Sequence, residues 1–149
     1  MTDDDWLYGN QAETVLTSVR EGRQGVMPAL GGALGDQGVT EVANYVLSLS
    51  GQSTDTQLAD AGKARYLGIC IACHGPDGKG NPAAGAPNLT DNIWLYGGTL
   101  DDIQNSTKNG RNGKMPAWGP VLGNDRTRLA AAWVLSQSRS KQNSKVETP

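Results

Sequence analysis

Cys70-Ile71-Ala72-Cys73-His74 forms a C-x-x-C-H sequence, which is the attachment signature of a c-type haem. Two thiols at this spacing can each add to a vinyl group of one haem, and the two thioethers then fix the macrocycle against the backbone. His74 follows directly, so the same attachment holds an imidazole beneath the iron. The other interpretations of C-x-x-C are a disulfide, a redox pair or half of a zinc site. Zinc needs two more Cys or His ligands, whereas the chain has two Cys and one His in all, and no βαβ pattern indicates a thioredoxin-like pair.

Composition sets the scale of the fold and excludes several classes of function. The 149 residues suffice for one ordinary domain or two very small ones. Hydrophobic residues make up 37% of the chain, so the core is thin and a covalent haem would supply apolar interior. The formal charge of -2 gives no footprint for nucleic acid, and no apolar run approaches the roughly 18 residues of a membrane helix. Since haem c is attached in the bacterial periplasm and no secretory signal opens the chain, we expect an export signal or anchor upstream.

The chain contains an internal repeat with a constant offset of 88 residues. The matching segments are 2–9 with 90–97, 22–29 with 110–117, and 46–48 with 134–136. A gap-free offset over three blocks indicates a tandem duplication. Carried back from Cys70, the offset places the C-x-x-C-H of the first copy before Met1. We therefore predict the back half of one haem domain followed by one complete haem domain.

Hydrophobic periodicity predicts helices and no convincing strand, so the fold class is all-α, with three main helices of the complete domain around a cofactor. The predicted elements are helices over 13–21, 39–49, 56–69, 99–110 and 125–138, with a short helical turn over 92–96. Thr99 and Asp102 resemble a capping box at the start of one of these helices. Gly62 is expected to let another helix approach closely.

The repeat and the polar Gly/Ser-containing linker together predict domain boundaries. Residues 1–50 are predicted to be the C-terminal half of a first haem domain without an attachment site, and 51–55 are the linker. Residues 56–139 are the complete domain, and 140–149 are a polar tail.

Met115 is the expected second axial ligand of the iron, opposite His74. It lies in a glycine-rich loop, and Pro116 stiffens the backbone beside it because proline fixes φ. Met27 occupies the equivalent place in the repeat. The alternatives at this position are a water or a Lys, and a Met can also be an ordinary core residue. With His and Met in both axial positions, the iron is suited to passing electrons rather than to binding a substrate.

Further residues are expected around the haem. His74 should donate its second ring N–H to a backbone carbonyl near Ala86 or Pro87. Four side chains are expected to bind the propionates or pack on the ring edge: Trp94, Tyr96, Arg111 and Trp118. The plainer alternative is core packing for the aromatic residues and a solvated surface charge for Arg111.

Several stretches resemble known families. Residues 70–80 (CIACHGPDGKG) with Met115-Pro116 are similar to a class I cytochrome c. The more specific stretches are 86–91 (APNLTD), 94–98 (WLYGG), 109–113 (NGRNG) and 115–119 (MPAWG). Over roughly residues 2–138, these stretches and the tandem copy resemble the di-haem subunit (subunit III) of cbb-type cytochrome c oxidases.

The resemblance implies a class I cytochrome c fold and haem c as the cofactor, with one covalent haem in this chain and two in a full-length relative. It adds Pro87, Leu89 and Pro116 to the expected cofactor contacts. It also implies an electron-transfer module on the periplasmic side of the bacterial inner membrane, not an enzyme by itself. Its partners would be the other subunits of a haem–copper oxidase and a donor cytochrome c.

The chain departs from that family in its first copy, and other functions remain open. Met27 would be the distal ligand of a first haem that this chain does not attach, and Leu30 replaces the Trp of position 118. We expect residues 1–50 to be loosely packed or to lean on the second domain. The main alternative is a soluble periplasmic mono- or di-haem cytochrome c carrier. A haem peroxidase or a sensor is a third possibility, which requires that Met115 does not bind the iron. A haem-free interaction fragment is a fourth, but it would leave the C-x-x-C-H motif unexplained.

Overall fold

The computed structural model describes the backbone of residues 5–146 and the side chains of residues 5–138. This part of the chain is mostly helical, with a small two-stranded sheet. The elements in chain order are α1 Ala12–Glu21, β1 Arg23–Met27, α2 Gly31–Leu49, α3 Thr56–Ile69, α4 Ile71–His74, α5 Leu100–Asn109, β2 Arg111–Met115 and α6 Gly119–Val146. No helix in the described range is long and apolar enough to cross a bilayer.

Two helix starts follow directly from their capping residues. Asp55 accepts hydrogen bonds from the backbone N–H groups of Gln57 and Leu58 at 2.9 and 3.0 Å, and it opens α3 at Thr56 as predicted. Thr99 and Asp102 form the predicted capping box at the start of α5. In both cases a side chain satisfies backbone donors that a helix leaves unpaired at its first turn.

The prediction of an all-α fold was wrong in one respect, because β1 and β2 form a two-stranded sheet. Each strand is short and polar and has a glycine at its centre, so neither shows the β-branched alternation that marks a strand in sequence. The partner of each strand is its own repeat equivalent, which lies far away in the chain. Such a long-range pairing leaves no local signal.

Three other predicted boundaries and one predicted element differ from the structure. Helix α2 begins at Gly31 and α6 at Gly119, and each contains a break at a glycine with positive φ, Gly35 and Gly123. Helix α6 continues to Val146, so 140–146 are helical, and the rest of the predicted tail lies outside the described residues. Residues 92–96 form bends and turns rather than a helical turn.

The chain divides into two compact units, which do not coincide with the boundaries that the repeat predicts. The first unit consists of the described residues up to Gln24 and from Gly113 onward, and the second consists of Gly25–Asn112. The predicted linker 51–55 therefore lies inside the second unit. The tandem-domain boundaries themselves stay a prediction about the repeat.

The core of the second unit is formed by α2, α3 and α5. Its largest fully buried side chain is Tyr66, whose ring centroid lies 5.1 Å from that of Tyr45. Gly62 is the point of closest approach of α3 to α2, because a Cβ there would lie 2.9 Å from the Val42 nitrogen and closer still to the Glu41 carbonyl. The prediction that Gly62 admits a neighbouring helix is thus confirmed.

The first unit is smaller and is held by α1 against α6. Its buried hydrophobic residues are Val15 and Val19 from α1 and Ala131 from α6. Both valines belong to the apolar face that helical periodicity predicts for α1.

Candidate haem-attachment site

The C-x-x-C-H motif lies at the end of α3 and forms the short helix α4. Cys70 follows the last residue of α3, and α4 ends at His74 because Gly75 takes a positive φ of 75°. Both cysteines are free thiols; Cys70 is partly buried and Cys73 is exposed. Burial, with a smaller contribution from Cys73, raises the pKa of the Cys70 thiol, so it is held in its protonated form at neutral pH.

His74 is buried, with 8% of its surface exposed, and its orientation is fixed by the loop that follows. Its Nδ1 nitrogen lies 3.1 Å from the carbonyl oxygen of Pro87. A carbonyl can only accept, so Nδ1 carries the proton and Nε2 keeps its lone pair for a metal. Burial lowers the pKa of His74, and the hydrogen bond to Pro87 opposes this in part. The imidazole is therefore neutral at physiological pH, as axial ligation requires.

The loop after His74 is held by a set of backbone contacts. The Gly80 N–H donates to the His74 carbonyl at 2.9 Å, and the Leu89 N–H donates to the Gly78 carbonyl at 2.7 Å. Leu89 is buried in the core of the second unit. Gly80 has a positive φ of 79°, and a Cβ there would lie 2.5 Å from the Ala86 carbonyl oxygen. These contacts place Pro87 where its carbonyl meets the histidine.

The residues near the motif fit a haem on two further observations. Ile69 and Ile71 flank Cys70 and are 41% and 37% exposed, which leaves apolar surface that a flat apolar group would cover. The Trp94 Nε1 atom is buried without a hydrogen-bond partner among the described residues. A donor of this kind suits a propionate oxygen, because burial without a partner costs free energy. When bound, a haem supplies one-electron chemistry at its iron.

Arg111 and Tyr96 are held together in the second unit. The Arg111 Nε atom donates to the Ser106 hydroxyl at 3.0 Å, and the guanidinium carbon lies 4.7 Å from the centroid of the Tyr96 ring. The ring is still 43% exposed. Arg111 is thus held by a hydrogen bond and a cation–π contact, and its role beside a haem stays a prediction.

The predicted site residues divide between the two units. His74, Pro87, Leu89, Trp94, Tyr96 and Arg111 all belong to the second unit. Met115, Pro116 and Trp118 belong to the first unit, where Met115 is 39% exposed and Trp118 is 43% exposed. Ligation by Met115 stays a prediction. Met27 belongs to the second unit and is partly buried there. The sequence did not predict it as a ligand of this haem, although Met27 is the repeat equivalent of Met115.

Comparison with known proteins shows the family of the chain. The sequence profile of the family described as cytochrome c oxidase, cbb3-type, subunit III matches residues 57–134, about half of the chain. The cbb3-type cytochrome c oxidase subunit FixP of Azorhizobium caulinodans is 45% identical over 131 residues, which cover 82% of this chain and 45% of the relative. The subunit CcoP of Rubrivivax gelatinosus is 40% identical over 141 residues, which cover 94% of this chain and 46% of the relative.

The chain spans about half the length of the curated relatives it matches. The residues that the family profile matches include nearly all of α3, the C-x-x-C-H motif, the loop after His74, α5 and β2. By this match and by the attachment motif in its centre, the chain belongs to the family of subunit III of cbb3-type cytochrome c oxidases.

Proposed function

We propose that the chain carries electrons through one haem c, attached by thioethers to Cys70 and Cys73 and ligated axially by His74. The observation that supports this most directly is the buried, neutral His74 immediately after the two thiols, with Nδ1 on the Pro87 carbonyl. A histidine held in this way needs no rearrangement to bind iron through Nε2. The family membership supports the same function.

A methionine sulfur occupies the second axial position in this proposal. Met115 is the candidate that the local sequence favours, and Met27 is its repeat equivalent in the unit that holds His74. A thioether is a neutral, soft ligand that favours Fe(II) and raises the potential. With both axial positions filled by side chains, the site exchanges electrons and does not bind a substrate at the metal.

Other side chains orient the cofactor and tune its charge. Trp94 Nε1, which has no hydrogen-bond partner among the described residues, would donate to a propionate. Arg111, held by Ser106 and Tyr96 in the same unit, would offer positive charge to such a carboxylate. The exposed Ile69 and Ile71 side chains would pack against the apolar edge of the ring.

In the cell, this chain would be the periplasmic part of a cbb3-type cytochrome c oxidase on the inner membrane. Its partners would be the other subunits of that haem–copper oxidase and a donor cytochrome c. The names of the relatives at 45% and 40% identity support this assembly. Co-purification with the oxidase from membranes would support it, whereas recovery only as a free carrier would refute it.

Haem stoichiometry tests the proposal. The chain is produced in the periplasm with cytochrome c maturation factors, and covalent haem is counted per chain as the pyridine haemochrome. One haem per chain is expected, with loss of covalent haem in Cys70→Ser/Cys73→Ser and a changed ligand-field spectrum in His74→Ala. Lys63→Ala, an exposed change on α3, serves as the matched control and should leave both readouts unchanged. Absence of covalent haem in the parent protein would refute the proposal.

A further inference from the structure

The offset of the repeat makes three pairs of elements equivalent and leaves α3 and α4 without a counterpart in this chain. Displaced by 88 residues, α1 becomes α5, β1 becomes β2, and the start of α2 becomes the start of α6. In each copy the order is therefore a penultimate helix, a strand that ends in methionine, and a last helix. Within one copy, these elements would be expected to pack on one another.

The structure instead pairs elements from different copies. The last helix of the first copy, α2, packs on α5 and α3 of the second copy, and α6 of the second copy packs on α1 of the first. The same hydrogen bond appears in both units: the Leu30 N–H donates to the Thr107 carbonyl, and the Trp118 N–H donates to the Val19 carbonyl, each at 3.0 Å. Leu30 and Trp118 are repeat equivalents, as are Val19 and Thr107. Each last helix thus begins against the penultimate helix of the other copy.

We propose that the two repeats exchange their last helices, and that Met27, carried into the unit of the C-x-x-C-H motif by this exchange, is the second axial ligand of the haem. The inference rests on the proposed haem attachment at Cys70 and Cys73. In both copies the methionine is followed by proline and lies just before the last helix. Whichever last helix packs on α3 therefore brings its own methionine into that unit.

The Glu41–Arg65 pair shows that α2 fits α3 specifically. Glu41 is buried, accepts from the Arg65 Nε atom and also accepts from the Gln37 amide at 2.8 Å. Arg65 and Gln37 hold the pKa of Glu41 below its ordinary value. The repeat equivalent of Glu41 on α6 is Leu129, which cannot pair with Arg65. If α6 replaced α2, Arg65 would lose this partner.

A second polar contact shows the same preference. Asn44 on α2 accepts hydrogen bonds from the Thr54 hydroxyl and from the Asp55 N–H, which ties α2 to the segment that caps α3. The equivalent of Asn44 on α6 is Ala132, which has no polar side-chain atom. The sequence of α2, and not that of α6, therefore complements the start of α3.

The exposure of two side chains on α6 is also consistent with the exchange of the last helices. Leu129 and Trp133 occupy the positions of Glu41 and Tyr45, but in the first unit they are 69% and 61% exposed. In an arrangement without exchange, α6 would lie on α3 and these two side chains would be covered. Their exposure is therefore a second readout, independent of the haem.

Met27 belongs to the same unit as His74, and its backbone is held in place there. It ends β1, is partly buried and is followed by Pro28. Its carbonyl oxygen would lie 2.5 Å from a Cβ on Gly110, so the segment is held closely against the end of α5. Gly110 has a positive φ of 71°, which allows this approach.

Axial ligation in the haem-loaded chain tests the inference. The methionine-to-ferric-iron charge-transfer band is recorded for the parent, Met27→Ala and Met115→Ala, after each is shown to hold one covalent haem and parent-like helicity. We expect the band to disappear in Met27→Ala and to remain in Met115→Ala. Loss in Met115→Ala, alone or in both variants, or no band in the parent, would overturn the assignment to Met27 while leaving haem attachment intact. A parent without covalent haem would instead overturn the proposed function.

A second pair of variants tests the helix exchange without relying on the ligand. Glu41→Arg places like charge against Arg65 and should lower the melting temperature, whereas Leu129→Arg adds a charge at an exposed position and should leave it nearly unchanged. The reverse result would show that α6, not α2, lies on α3 and would overturn the exchange.

Discussion

Replacing Gly62 by alanine probes the contact on which the second unit depends. A Cβ at this position would lie 2.9 Å from the Val42 nitrogen and closer still to the Glu41 carbonyl, whereas ordinary contact begins near 3.4 Å. Both atoms belong to the backbone of α2, so they cannot rotate away and the two helices must separate. Overpacking of this kind costs about 1–3 kcal/mol, and the upper end applies because the obstacle is main chain. The better helix propensity of alanine returns about 1 kcal/mol.

The net expectation is a loss of about 2 kcal/mol in the free energy of unfolding, or a fall of about 10 °C in melting temperature for a unit of this size. Urea unfolding of the haem-loaded chain, followed by circular dichroism, measures it. Gly68→Ala is the matched control, since Gly68 lies in the same helix and a Cβ there meets nothing within 4 Å. It should be neutral or stabilising by up to about 1 kcal/mol. Equal effects of the two substitutions would refute the close approach of α2 and α3.

Three further predictions concern buried polar groups of the second unit. In Tyr66→Phe the Gly75 carbonyl loses the hydroxyl that donates to it at 2.8 Å, so the free energy of unfolding should fall by about 1–2 kcal/mol in urea titrations; no change would contradict the bond. Burial raises the pKa of Tyr66 to about 12, so the folded state keeps a proton that the unfolded chain releases near pH 10. The free energy of unfolding should therefore decline as pH rises between these two values. A midpoint near pH 10 in an ultraviolet difference titration of the folded chain would contradict the raised pKa. Arg65→Met should raise the lowered pKa of Glu41 toward its ordinary value, as measured by NMR titration of the carboxyl carbon. The free energy of unfolding should then be reduced at pH values above the ordinary pKa of a glutamate, where the ion pair contributes to stability. An unchanged pKa would show that Arg65 is not the partner of Glu41.

Local signals in the sequence predicted the elements that depend on neighbouring residues. The bounds of α3 follow from the Asp55 cap and a regular apolar face, and the capping box of α5 follows from Thr99 and Asp102. The orientation of His74 by a carbonyl near Pro87 was also predictable, because a ligating histidine requires an acceptor on its other nitrogen and a rigid loop follows.

What the sequence did not predict was the pairing of distant elements. Strands β1 and β2 are too polar and too glycine-rich to be recognised alone. The packing of α2 on α3 depends on which of two similar helices forms the better contacts with Arg65 and Thr54, and periodicity is the same for both candidates. The difference lies in single polar positions, such as Glu41 against Leu129.

Trp94 was expected from its sequence position to contact a haem, but the burial of its Nε1 atom without a hydrogen-bond partner among the described residues could not be predicted. Burial of one polar atom is a property of the fold and not of the residue type. It gives the proposed haem a second point of contact, independent of the C-x-x-C-H motif.

Addition of carbon monoxide to the reduced, haem-loaded chain tests whether side chains fill both axial positions of the iron, as an electron-transfer site requires. We expect an absorption spectrum that carbon monoxide leaves unchanged, together with reversible reduction and oxidation of the haem. Immediate formation of a carbon monoxide complex in the parent protein would show an open iron and would refute the proposed electron-transfer site.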